Sequence, residues 1–146
     1  MDKKYLVWEI IKIAREHRKI VEKRICDLGI HPSQHHFLMY IAQNGACAQN
    51  SIAEAMEVSA ATVAVSLKKL EKGGYIEKRI SPEDGRSNLV ALTAKGEDVV
   101  QQSNVLFEEV DGQMFESLSE EQQKQLCDYM EIIIRNLKIM EDRQEE

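Results

Sequence analysis

The chain has 146 residues, of which 43% are hydrophobic and 30% charged, with a formal net charge of −6; this is enough to bury an apolar core in one domain or in a compact unit with appended helices. No run of about 18 apolar residues occurs, and the opening MDKKYLVWEIIKIAREHRK carries charges through its apolar part, which argues against a helical membrane span or a signal peptide and predicts a soluble, cytoplasmic protein. Cys26, Cys47 and Cys127 are widely spaced with no CxxC, which argues against a disulfide framework or a zinc knuckle.

Leu6, Ile10, Ile13, Ile20, Ile25 and Leu28 recur at multiples of three to four residues up to Gly29, predicting one long amphipathic helix stopped by glycine. Pro32-Ser33 opens a second helix, with Phe37, Leu38 and Ile41 as its apolar stripe and Asn44-Gly45 as its end. A third is predicted from Gln49 to Met56. A fourth runs from Ala60 to Lys72, N-capped by Ser59 and ended by Gly73-Gly74. The rhythm then changes. Tyr75, Ile76, Lys78 and Ile80, followed by Leu89, Val90 and Leu92, flank the turn-forming run Pro82-Glu83-Asp84-Gly85, so a β-hairpin is expected with Asp84 and Arg86 at its tip. Thr93 is expected to cap a long helix through Val99, Leu106, Val110 and Met114, and Ser119-Glu120-Glu121-Gln122 has the pattern of a capping box opening the last helix.

In that last helix Leu126, Met130, Ile133, Leu137 and Met140 are spaced four, three, four and three, the spacing of a heptad seam. With Leu6, Ile10 and Ile13 at the other end, this is more apolar surface than a small domain can readily bury. The two ends are therefore expected to build a twofold homodimer interface, with packing inside one monomer as the alternative. The predicted organisation is a helical dimerisation region, 1–30 with 97–146, around a central domain at 31–96.

Charge is graded along the chain. Between Ser66 and Asn88 six basic residues (Lys68, Lys69, Lys72, Lys78, Arg79, Arg86) stand against four acidic ones, whereas from Phe107 to the end twelve acids stand against four bases. Binding responds to the local field, so a basic centre is compatible with nucleic acid on one face.

Ile52, Ala53, Met56, Val58, Val63, Leu67 and Leu70 fit the buried set of a helix-turn-helix made by the third and fourth helices. Ser59, Ala60, Ala61, Thr62, Val65, Ser66 and Lys69 remain for the exposed face, small and hydroxyl-bearing at its start and basic at its end. Such a face can approach base edges in the major groove, where hydroxyls hydrogen-bond and methyls meet thymine. Gln49, Asn50, Lys68, Arg79, Gly85 and Ser87 complete the expected DNA-facing set.

Helix-turn-helix followed directly by a hairpin with a basic tip is a winged helix. Asp84-x-Arg86-x-x-x-Val90-x-Leu92-Thr93-x-x-Gly96 resembles the wing motif of the MarR family of bacterial transcriptional regulators, and SIAEAMEVSAATVAVSLKKLEKGGYIEKR resembles the helix-turn-helix before it. The resemblance implies a mainly α (α+β) fold, an obligate homodimer on a pseudo-palindromic operator, and usually a repressor released by a ligand or an oxidant. It makes the fourth helix the recognition helix, sends Arg86 into the minor groove with Asp84 orienting it, and puts any small-molecule effector between the dimer helices and the winged helix. The chain departs from the pattern twice. Glu57 stands where the turn often has glycine, and the recognition helix lacks a guanine-reading arginine, which shifts weight onto Arg86 and DNA shape.

No Gly-rich phosphate loop, GxSxG or HExxH occurs, so no catalytic residues are assigned and no enzyme or cofactor is expected. His35 and His36 are adjacent on a helix and cannot share one face, and neither Cys nor carboxylate lies at ligand spacing from the histidines, so no metal site is assigned. Cys26, after Lys23 and Arg24, is the best-placed thiol for redox sensing, although a structural thiol is the expectation. A redox- or metal-responsive regulator of the same fold, or a helical protein-interaction module without DNA binding, is the alternative.

Overall fold

In the computed structural model, which describes residues 2–83, 85 and 88–143, the chain order is α1 (Lys3–Asp27), α2 (Pro32–Asn44), β1 (Cys47–Ala48), α3 (Gln49–Ala55), α4 (Ala60–Lys72), β2 (Ile76–Ile80), β3 (Asn88–Leu92), α5 (Ala94–Phe115) and α6 (Glu120–Asp142). It is a mainly helical winged-helix fold with a small antiparallel sheet. No helix among the described residues is long and apolar enough to cross a membrane. The chain divides into two compact units, residues 1–108 and 109–146.

The first unit holds the sheet and most of the core. α2 lies against α1, α4 and β3, and α3 lies against α4 and β1. Leu38, Ile41, Ile52, Val63 and Leu70 are completely buried, each contributing about 1.5–3 kcal/mol relative to exposure. Each apolar stripe meets another. Phe37, Leu38 and Ile41 come from α2, Ile52 from α3, Val63, Leu67 and Leu70 from α4, and Ile76, Val90 and Ala91 from the sheet.

The helix ends follow their sequence signals. Ser59 caps α4 by accepting from the Thr62 amide, Gly29 and Gly74 take the left-handed conformation just beyond α1 and α4, and Pro32 occupies the first turn of α2. His31 caps α2 with its ring, Nδ1 accepting from the Ser33 amide at 3.2 Å.

The sheet runs in the order β1-β3-β2. β2 and β3 pair from Ile76 with Leu92 to Ile80 with Asn88, and the turn between them is closed by the Gly85 amide donating to the Ser81 carbonyl at 3.0 Å. The expected hairpin is thus a three-stranded sheet. Cys47 pairs with Val90, and Ala48 pairs with Leu89.

α1 buries only Val21 and Ile25, while Leu6, Ile10, Ile13 and Ile20 are about half exposed within the single chain. In the second unit, Gln123 donates to the Leu118 carbonyl at 2.9 Å, and Ser119 and Gln122 form a reciprocal capping box. α6 has no buried residue. Cys127 is exposed.

Candidate nucleic-acid interface

α4 separates into two faces. Val63, Leu67 and Leu70 enter the core, leaving Ser59, Ala60, Ala61, Thr62, Val65, Lys68 and Lys69 exposed. Ser66, expected on the exposed face, is half-buried because it lies one turn from both Val63 and Leu70. At the start of the helix the Ser59 and Thr62 hydroxyls are 2.8 Å apart, and Ser59 Oγ also accepts from the Thr62 amide at 3.1 Å. One hydroxyl proton closes that pair and the other remains for an outside acceptor. With Ala60, Ala61 and Val65 beside it, the surface offers a donor, an acceptor and methyl groups within one helical turn, the groups that distinguish base pairs in the major groove.

The turn before α4 contains the only described non-glycine residue with positive φ, Glu57 at 52°. The position that often carries glycine keeps the left-handed conformation without it. On α3, Gln49 is half-buried and Asn50 exposed.

β2 presents Glu77, Lys78, Arg79 and Ile80 to solvent. Arg79 Nε donates to Glu77 Oε1 at 2.7 Å, and Lys78 Nζ lies 3.9 Å from Glu71 Oε2. Both cations expected to add to the basic centre are thus partly committed to carboxylates, whereas Lys68 and Lys69 extend from the helix. Gly85 is exposed with φ of 64°. Asp84, Arg86 and Ser87 lie outside the described residues.

The base of the wing is tied to α5. The Thr93 amide donates to the Tyr75 carbonyl at 3.1 Å and Thr93 Oγ1 to the Gly74 carbonyl at 2.5 Å, while Oγ1 accepts from the Gly96 amide at 3.1 Å. Gly96 passes so close to the Tyr75 carbonyl that a Cβ there would collide with it. This gives the Leu-Thr-x-x-Gly part of the wing motif a physical reason.

A model of the MarR family matches residues 28–87. The HTH-type transcriptional regulator BilQ of Clostridium symbiosum is 36% identical over 91 residues, which are 62% of this chain and 63% of that protein. The uncharacterized HTH-type transcriptional regulator YwoH of Bacillus subtilis is 30% identical over 102 residues, 70% of this chain and 74% of YwoH. The chain belongs to the MarR family. In solved structures the fold recurs in Staphylococcus aureus MepR in complex with DNA, at 25% identity and a TM-score of 0.67, over 93% of this chain and 96% of that one.

This MarR-family chain also contains a cleft of about 720 Å³ between α1 and α2, where Val21, Ile25, Met39 and Phe107 stand beside His17, Arg18, His35 and His36. His35 is buried, with its ring 5.9 Å from that of Phe107. Its Nε2 is 2.8 Å from Ser103 Oγ, which donates its single proton to the Val99 carbonyl at 2.7 Å. Ser103 can therefore only accept from His35, which fixes the neutral Nε2–H tautomer. Burial, helped by His36, lowers the His35 pKa from 6.5 to about 4. Neither His35 nor Ser103 belongs to the apolar stripes expected in the core. His35 is three residues before Leu38, and Ser103 lies between Val99 and Leu106 on the buried stripe, so each had a periodic signal, but their partnership across 68 residues had none.

Cys26 is exposed, and burial pushes the thiol of half-buried Cys47 up. Among the described residues no group of three or more His, Cys, Asp or Glu is gathered to hold a metal ion.

Proposed function

We propose that this MarR-family protein is a homodimeric repressor that binds a pseudo-palindromic operator with α4 in the major groove and the hairpin beside it, and that a small molecule releases it. The observation that carries the DNA-facing part is the paired Ser59 and Thr62 hydroxyls among exposed Ala60, Ala61 and Val65, with Lys68 and Lys69 further along the same helix. In this reading Gln49 and Asn50 approach the backbone at the start of α3, Ser66 lies at the edge of the contact, and Arg79, Asp84, Gly85, Arg86 and Ser87 belong to the wing. MepR, whose structure is known in complex with DNA, is a precedent for the DNA partner.

The dimer is supported by the exposed apolar residues of α1 and α6, Leu6, Ile10 and Ile13 with Leu126, Met130, Ile133, Leu137 and Met140. Residues 1–30 and 97–146 then form the dimerisation region around the DNA-binding domain at 31–96. The effector is assigned to the cleft between α1 and α2, where apolar walls adjoin cationic and imidazole groups.

Enrichment of random-sequence duplexes by the purified protein tests this reading. The expected product is a sequence with two inverted half-sites about one or two helical turns apart. Recovery of a single asymmetric site, or of no sequence preference, would overturn it. Repression is tested by placing the recovered duplex upstream of a reporter, whose expression should fall when the protein is present.

A further inference from the structure

Three successive carbonyls where α4 ends are each taken by a group from the start of α5. Gly73 O accepts from Lys95 Nζ at 2.7 Å, Gly74 O from Thr93 Oγ1 at 2.5 Å and Tyr75 O from the Thr93 amide at 3.1 Å. The Lys95 ammonium also sits 4.4 Å from the centroid of the Tyr75 ring, whose hydroxyl makes a long 3.4 Å bond to the Gly29 carbonyl beyond α1. Lys95 is exposed, yet its ammonium is engaged by the Gly73 carbonyl and the Tyr75 ring. Its charge is committed to the C-terminal end of the α4 dipole and to an aromatic face, two attractions that reinforce each other.

We infer that Lys95 is a positioning residue for operator binding: by holding the C-terminal end of α4 and the Tyr75 ring against α5, it fixes the direction in which the recognition helix leaves the rest of the subunit. This rests on the proposed reading of α4 as the recognition helix of a dimer. Within one subunit the direction of α4 matters little, because a lone helix can adjust to one half-site. In a dimer, two recognition helices must meet two half-sites at a set separation, and looseness at each anchor broadens the range of separations sampled. Lys95 thus contributes to spacing selectivity while touching no DNA.

The test uses the full-length dimer and the inverted-repeat duplex that the wild type enriches from a random library. Three forms of it are compared: the recovered duplex, the same duplex with one base pair inserted between half-sites, and a duplex carrying one half-site. Lys95→Met should keep the wild-type thermal midpoint to within a few degrees, bind the recovered duplex about tenfold more weakly, and discriminate less against the inserted base pair. Binding to the single half-site and the slope of log affinity against log salt should not change. Lys95→Arg, which keeps a cation able to cap the carbonyl and stack on the ring, should restore both affinity and discrimination. A salt slope reduced by about one unit would make Lys95 a phosphate contact and overturn the inference. So would an equal loss on the single half-site, or undiminished spacing discrimination. Failure of the wild type to enrich any duplex would instead overturn the DNA-binding reading itself, and the Lys95 inference with it.

Discussion

Glu57 holds φ at 52° in the turn between α3 and α4, a conformation in which the Cβ of an L-residue crowds its own backbone at a cost of about 1–2 kcal/mol. Glycine would remove that strain while adding freedom to the unfolded chain, which takes back about 0.4–1 kcal/mol. Glu57→Gly should therefore raise stability by about 0.5–1 kcal/mol net, read as a higher urea midpoint with an unchanged slope. A lower midpoint would mean that the glutamate side chain itself stabilises the turn. His35 gives a pH dependence of definite sign. Its folded pKa of about 4 lies below its ordinary 6.5, so between those values the unfolded chain binds more protons and stability rises with pH. The gain saturates above about pH 6.5 and is on the order of 3 kcal/mol. Urea midpoints of wild type and His35→Gln from pH 4 to 7 should show the variant losing most of that slope; identical slopes would place the titration elsewhere. These two residues differ in legibility. The oddity at Glu57 is visible because the helix-turn-helix pattern puts a turn there, whereas the tautomer of His35 depends on a hydroxyl 68 positions away.

At the scale of elements, punctuation decided what could be read. Ser59, Gly29, Gly73-Gly74 and the Ser119–Gln122 box mark helix ends by capping chemistry local to the sequence, and each acts where it was expected. β1 was not legible because two residues give no alternation to detect. Cys47 and Ala48 become a strand only when β3 arrives to pair with them. The division of labour in the wing motif was likewise hidden. Val90 is a core position of the central strand, Thr93 bonds four different backbone groups, and Gly96 leaves room for the Tyr75 carbonyl. Gly96→Ala should cost about 1–3 kcal/mol, because the colliding atom is backbone and cannot rotate away. Denaturant unfolding would show it. An unaffected midpoint would mean that the first turn of α5 can retreat from Tyr75 without consequence.

For the whole molecule the decisive feature is α6, which has apolar residues on more sides than a single seam needs. Leu126, Met130, Ile133, Leu137 and Met140 follow the four-three spacing, but Ile132 and Ile139 each precede a seam residue by one and so stand about 100° around the helix from it. All of these are more than a third exposed in the single chain. A two-stranded coiled coil would cover the seam and leave Ile132 and Ile139 in water. A helix apolar on several sides is covered on several sides, so the proposed dimer should enclose α6 between more than one neighbouring helix. The two arrangements separate on substitution. Ile133→Asp with Leu137→Asp places charges in the seam and should yield monomers under either arrangement, at a cost of several kcal/mol for each unpaired buried charge. Ile132→Asp discriminates: in a single-seam dimer its carboxylate stays solvated and the assembly survives, whereas in an enclosed α6 it is buried without a partner. We expect sedimentation at micromolar concentration to show a dimeric wild type and a dissociated Ile132→Asp variant, the variant also losing affinity for inverted-repeat DNA more than for a single half-site. A variant that stays dimeric and binds as the wild type does would reduce the interface to one seam and leave Ile132 facing solvent in the assembled protein.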